Sequence, residues 1–244
     1  FLADEKHFVV NTIGRYLQNL RLVLGEAERC GHTVSPDWKS IRARKEKVEN
    51  IVLTEDELDK LAALDLSKNE RLRNVRDMFL IAAYTGFRHS DVNQLSNEHI
   101  NRDKGIIRIH QLKTGGLVEV PLHSNLRKVL EQRNYVLPRA ISSTCYNRYI
   151  KECCFLAGID EPVEMKKTIG GQRVLTVCKK WQLVSSHTAR RSFATNLYLR
   201  GVDTELIMAF TGHISQDSFY RYICLTPSQR AGMLKKIWDS SLEQ

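Results

Sequence analysis

Ile106-Ile107-Arg108-Ile109-His110 and Leu117-Val118-Glu119-Val120-Pro121 flank Lys113-Thr114-Gly115-Gly116. Two β-rich runs around a Gly-Gly turn predict a hairpin. A second hairpin is expected to turn at Gly170-Gly171, between Met165–Ile169 and Arg173–Val177. Most of the remaining chain has helical periodicity. Ile13, Leu17, Leu20, Leu24 and Ala27 recur at three- and four-residue steps within a helix expected over Val9–Cys30, placing them on one face. Thr54-Glu55-Asp56-Glu57 is a capping-box pattern, so a helix should open there and run through Leu64. Further helices are expected over Arg71–Tyr84, His89–Leu95, Ser124–Arg133, Ser142–Ala157, Ser186–Leu199, Asp203–Ala209, Gln216–Tyr222 and Ser228–Trp238. The fold class is therefore mainly α with small β-hairpins.

The stretch Pro36-Asp37-Trp38-Lys39-Ser40, with Ile41-Arg42-Ala43-Arg44-Lys45-Glu46-Lys47, is basic and weakly periodic. It reads as a linker and sets a boundary near Glu49, giving units 1–49 and 50–244. The chain opens on Phe1 rather than Met, and we expect it to be a piece of a longer protein.

Composition bounds the function. Lys+Arg number 37 against 28 Asp+Glu, a formal charge of +9, with a pI near 9.3. Such an excess suits a nucleic-acid partner. Apolar residues make up 42% and charged residues 27%, ordinary globular usage that disfavours disordered and fibrous classes. No apolar run approaches the roughly 18–20 residues of a membrane span, and the first residues show no signal-peptide pattern. We expect no membrane association and a cytoplasmic setting. The six cysteines form no C-x-x-C pair, so zinc-ligand spacing is missing and reduced structural thiols are expected.

The chemistry-bearing residues stand at backbone junctions. Arg88 follows Thr85-Gly86-Phe87 between two helices, and Lys113 occupies the hairpin turn. His187 and Arg190 lie three apart near the start of one helix; His213 follows Gly212, and Tyr222 comes nine residues later. Gathered by a fold, these cations would seek an anion, arginine in particular matching phosphate oxygens in bidentate fashion. D-x-D, HExxH and Walker-type phosphate loops are absent from the sequence, so nucleotide hydrolysis has no support and no metal or other cofactor is expected. Cations can still stabilise a phosphoryl-transfer transition state where a protein nucleophile is present, and a tyrosine phenol can serve.

The ordered set Thr85-Gly86-Phe87-Arg88-His89-Ser90-Asp91, Lys113-Thr114, His187-Thr188-Ala189-Arg190, Thr211-Gly212-His213 and Tyr222-Ile223 resembles the tyrosine recombinase (integrase) family. The resemblance runs from about Thr54 to Trp238, and Thr211–Ile223 looks most like integrases of bacterial mobile elements. It implies a catalytic domain over 50–244 and the C-terminal part of a helical core-binding domain over 1–49. Arg88 and Arg190 would clamp the scissile phosphate, Lys113 would protonate the leaving 5′ oxygen, and His187 would exchange a proton with the tyrosine. His213 would hydrogen-bond the phosphate, Tyr222 would be the nucleophile, and Asp91, three residues after Arg88, would buttress the site. The implied partners are a double-stranded DNA recombination site and further copies of the chain, as a tetramer on DNA, in a bacterial cytoplasm and on its nucleoid.

Alternatives remain beside this reading. Tyr220 competes as nucleophile, although on a helix it would face about 200° away from Tyr222. Arg191 is expected to point elsewhere, toward backbone phosphate or a carboxylate. Met233, Leu234, Ile237 and Trp238 form a stripe that reads as core packing, or, by the resemblance, as a surface docking on a neighbouring protomer. Thr211 stands where many family members carry Leu, which is expected to alter packing rather than chemistry. A type IB topoisomerase-like strand transferase and a non-catalytic DNA-binding protein on the same scaffold are the alternative functions.

Overall fold

The computed structural model describes residues 1–46 and 48–241; Lys47, the end of the basic run, lies outside them. In chain order the elements are α1 (Val10–Arg29), α2 (Glu55–Ala63), α3 (Glu70–Thr85), α4 (His89–Asn93), β1 (Ile100–Asn101), β2 (Ile106–His110), β3 (Leu117–Pro121), α5 (Ser124–Gln132) and α6 (Ser143–Leu156). They continue with β4 (Pro162–Ile169), β5 (Gln172–Lys179), α7 (Lys180–Leu183), α8 (Ser186–Leu199), α9 (Thr204–Thr211), α10 (Gln216–Tyr220) and α11 (Pro227–Ser241). The architecture is mostly helical with two small antiparallel sheets.

The chain forms two compact units. Phe1–Glu49 and Pro162–Cys178 make the first; Asn50–Glu161 and the chain from Lys179 onward make the second. Within the first unit, the stretch read as a linker is held in place. Pro36–Ser40 is a 3-10 helix opened by Ser35, whose hydroxyl accepts the Asp37 N–H. Glu46 takes hydrogen bonds from the Thr168 N–H and hydroxyl at 2.9 and 2.8 Å, while the Asn11 amide pairs with the Glu46 backbone at 2.9 Å. A polar run thus docks through side chain-to-backbone bonds, which hydropathy does not register.

The second unit is built around α3, whose buried residues include Leu72, Val75, Met78, Phe79, Leu80 and Ile81. It packs on α8, α6, α5 and α2. The capping box at Thr54 forms: Thr54 N–H donates to Glu57 at 2.8 Å and Glu57 N–H to the Thr54 hydroxyl at 3.3 Å. Leu53, just before it, is pinned to α8 by its N–H to the Ser192 hydroxyl and by its carbonyl from the Asn196 amide. β2 and β3 pair antiparallel, Ile107 opposite Val120 and Ile109 opposite Val118. Those four side chains are buried while Arg108 and Glu119 face water and pair at 2.7 Å, the alternation of a sheet with one covered face. The short strand β1 adds to this hairpin; two residues are too few for any periodicity to announce.

Two expectations change. The helix expected to reach Tyr222 stops at Tyr220, with Arg221 as its cap. Leu234, Ile237 and Trp238 are exposed rather than packed in the core. The six cysteines are free thiols, as expected, and burial pushes Cys153 up to about 12. No helix among the described residues is long and apolar enough to cross a membrane.

Candidate active site

α3 ends at Gly86 with φ 74°. A Cβ there would lie 2.6 Å from Phe193 of α8 and 3.1 Å from Thr211 of α9, so only glycine lets the chain reverse flush against both helices. The reversal delivers Arg88 to the N-terminus of α4. Asp91, one turn along and fully buried, accepts the Arg88 N–H at 3.2 Å and the Leu112 N–H at 3.1 Å, with Arg88 Nη1 3.9 Å away. One carboxylate therefore ties the arginine junction to the β2–β3 turn that carries Lys113. This is a physical basis for the buttressing expected of Asp91.

Arg190 is buried in α8 with 1% of its surface exposed. Its Nη1 donates to the Gly86 carbonyl at 2.7 Å and its Nη2 to the Thr211 carbonyl, with His213 Nε2 3.3 Å from the same Nη2. Burial, then repulsion from Arg88, disfavours the Arg190 charge, while Tyr222 and Asp91 favour it. Its Nε is buried without a hydrogen-bond partner, as is the Nε of Arg191. Unpaired buried donors on adjacent guanidinium groups are costly unless an anion completes them.

His213 sits just after the left-handed Gly212 that ends α9. Burial, then Arg190, Arg88 and Lys113, push its pKa down to about 3, so the ring is neutral near pH 7. Its centroid lies 4.6 Å from that of Tyr222 and 5.6 Å from that of Phe219. Tyr222 occupies a turn rather than a helix, with its N–H on the Phe219 carbonyl at 2.7 Å and its carbonyl on the Thr195 hydroxyl at 3.1 Å. The Arg190 guanidinium stands 5.4 Å from the Tyr222 ring centre and that of Arg191 5.8 Å. Arg191 thus turns toward the tyrosine, against the expectation that it points away. Tyr220 is 49% exposed and packs its ring on Phe219, outside this cluster.

Lys113 and His187 lie at the margin. Both are exposed, and among the described residues neither side chain hydrogen-bonds to the rest. His187 keeps one face in water. Enclosure on its other side, then the cations Arg191, Arg190, Arg88 and Lys113, lower its pKa and favour the free base. The structure therefore joins Arg88 to Asp91, and Arg190 to His213 and Tyr222, by contact, and links the two groups, Lys113 and His187 through charge.

Sequence reasoning missed Gln111. It is 1% exposed, its Oε1 accepts from Arg88 Nη1 at 2.7 Å and from the Thr114 hydroxyl at 3.1 Å, and its Nε2 donates to the Thr211 carbonyl at 3.3 Å. A Cβ on Gly212 would collide with this amide. A polar residue two before the turn lysine, where the β alternation ends, was the available signal.

The fold is that of tyrosine recombinase catalytic domains. A crystal structure of XerA recombinase matches with a TM-score of 0.59 at 19% identity, covering 97% of this chain and 79% of the other. A lambda integrase (75–356) dimer bound to a COC′ core site matches with a TM-score of 0.63 at 20% identity, covering 84% and 70%. The family described as the phage integrase family matches residues 51–229, and the chain belongs to it. Among curated relatives, the tyrosine recombinase XerA of Pyrococcus furiosus is 26% identical over 196 residues, 76% of this chain. The chain spans 63% of that relative's length.

Proposed function

We propose that this chain is a site-specific DNA recombinase that cleaves and rejoins strands through a 3′-phosphotyrosine on Tyr222, without metal or ATP. The observation that carries the reading is the tyrosine ring set against His213 and beneath two guanidinium groups. Arg88 and Arg190 bind the non-bridging oxygens of the scissile phosphate, and the unpaired Arg190 Nε is a donor free for one of them. Tyr222 Oη attacks phosphorus as its proton passes to His187. The bond to the 5′ oxygen breaks, and Lys113 supplies the proton that makes a free 5′ hydroxyl. Rejoining runs the same steps backward with another strand's 5′ hydroxyl, so the phosphodiester energy is conserved. The arginines stabilise the charge that grows on the phosphate oxygens.

In this reading double-stranded DNA is the substrate, further copies of the chain assemble as a tetramer on it, and residues 1–49 serve as part of a core-binding domain. The remaining positive charge holds DNA backbone phosphates, with affinity falling as salt rises. Incubation with a nicked suicide duplex tests the reading: a covalent protein–DNA adduct should form in EDTA, map to Tyr222, and vanish in Tyr222→Phe while DNA binding survives. An adduct on Tyr220, or a requirement for a divalent metal, would overturn it.

A further inference from the structure

Thr211, the last residue of α9, is fully buried and makes a hydrogen bond from Oγ1 to the Ile207 carbonyl at 2.8 Å, with the Met208 carbonyl at 3.3 Å. A hydroxyl has one proton to give and lone pairs to receive with. The same Oγ1 lies 2.8 Å from His213 Nδ1. With its proton directed at the helix carbonyls, Oγ1 accepts there and Nδ1 carries a hydrogen. On the far edge of the ring, Nε2 is 3.3 Å from Arg190 Nη2. A guanidinium has donors and no acceptor, so Nε2 must present a lone pair. The Thr211 contact and the Arg190 contact fit the same tautomer. Tyr222 and Phe219 pack on the ring, and Arg190, Arg88 and Lys113 keep it from taking a second proton.

We infer that Thr211 is a positioning residue that holds His213 in its Nδ1–H tautomer, so that in the DNA-free chain the imidazole accepts a hydrogen bond from Arg190 instead of donating to an anion. The chain runs from Ile207 through Thr211 and His213 to Arg190, and it aims the guanidinium that also holds the Gly86 and Thr211 carbonyls. The expectation that Thr211 alters packing alone is thereby replaced. For His213 to donate to a phosphate, its proton must move to Nε2, which removes Arg190 from that nitrogen and requires the Thr211 proton to swing from Ile207 to Nδ1. A leucine at this position could do neither. The catalytic consequence rests on the strand-cleavage reading; the tautomer does not.

Long-range nitrogen–proton correlation spectra of the DNA-free protein, labelled with 15N-histidine at pH 7, read the tautomer directly. His213→Gln identifies the signal among the eight histidines. Wild type should show His213 with a protonated Nδ1 and an unprotonated Nε2. Thr211→Val, which keeps the shape and loses the acceptor, should move the signal toward the Nε2–H form, and Thr211→Ser should restore it. An Nε2–H ring in wild type, or an unchanged Nδ1–H ring in folded Thr211→Val, overturns the inference. The wild-type spectrum alone decides the matter if Thr211→Val does not fold. In single-turnover cleavage, Thr211→Val should be slowed about tenfold, the scale of one lost hydrogen bond, with DNA affinity unchanged and Thr211→Ser near wild type. If no cleavage occurs in any variant while the spectra behave as stated, the strand-cleavage reading fails and the tautomer assignment stands.

Discussion

Gln111 Oε1 receives the Arg88 Nη1 hydrogen at 2.7 Å from a side chain that is 1% exposed. The other end of the amide donates to the Thr211 carbonyl at 3.3 Å, so one side chain spans the arginine junction and the end of α9. Gln111→Met keeps the length and loses both bonds. Single-turnover cleavage should fall by about 10- to 100-fold, with DNA affinity changing little, since the backbone-contacting charge is untouched. A proportional loss of affinity and rate would instead place Gln111 in DNA binding.

Arg190 holds two backbone carbonyls and, in the proposed reaction, would also bind the scissile phosphate. Arg190→Ala should lower cleavage by at least about two orders of magnitude, as when a donor is removed from a developing oxyanion. It should also destabilise the fold by about 1–3 kcal/mol, because the Gly86 and Thr211 carbonyls lose a buried partner. Arg190→Lys restores the charge and not the forked geometry, so stability should recover further than cleavage does. Urea unfolding and suicide-substrate trapping on the same samples separate the two effects.

Legibility in the sequence followed locality. The capping box at Thr54, the β2–β3 hairpin and α8 were readable because each is specified by neighbours within a few residues. The candidate-site residues Arg88, Arg190, His213 and Tyr222 were legible as a set through their joint order, the nine-residue step from His213 to Tyr222 and the family resemblance that these carry. Gln111 was not, since its partners Arg88 and Thr211 lie 23 and 100 residues away and nothing local distinguishes a buried amide from an exposed one; the Thr211 hydroxyl bonds within its own turn, but its burial beside Gly86 is set by elements far along the chain. The docked run at Pro36–Glu46 failed for the same reason: its partner Thr168 is 122 residues from Glu46. Helix periodicity carried the α10 expectation two residues too far: the Tyr222 N–H closes a turn on the Phe219 carbonyl, and the tertiary feature there is the Thr195 hydroxyl, which takes the Cys224 N–H and donates to the Tyr222 carbonyl.

Acid should weaken the fold before it reaches the carboxylates. His213 is held down to about 3 against an ordinary 6.5, and His187, His89 and His123 are also lowered, burial being the first cause in each. Below 6.5 the unfolded chain takes up protons that the folded chain refuses, so stability is full above that pH and declines as pH falls toward 3. Unfolding free energies measured in urea from pH 7.5 downward should show this slope. His213→Gln should flatten it; an unchanged slope would mean the ring is protonated in the folded state.

Gly86→Ala is expected to be among the costliest single-methyl additions in the chain. At φ 74° an alanine is strained, and its Cβ would meet Phe193 at 2.6 Å. A loss of about 1–3 kcal/mol follows, with a matching drop in Tm. Because the Gly86 carbonyl holds Arg190, cleavage should fall further than in a surface variant of equal stability.

Tyr222 is secured through its own backbone, by Phe219 behind it and by Thr195, whose hydroxyl takes the Cys224 N–H and gives its proton to the Tyr222 carbonyl. That arrangement brings the tyrosine to arginines of the same polypeptide, so in the proposed reaction the attacking oxygen would be furnished in cis. Under that proposal one copy would contain the whole breakage step, and an assembly of copies would serve to choose which broken end is handed to which partner.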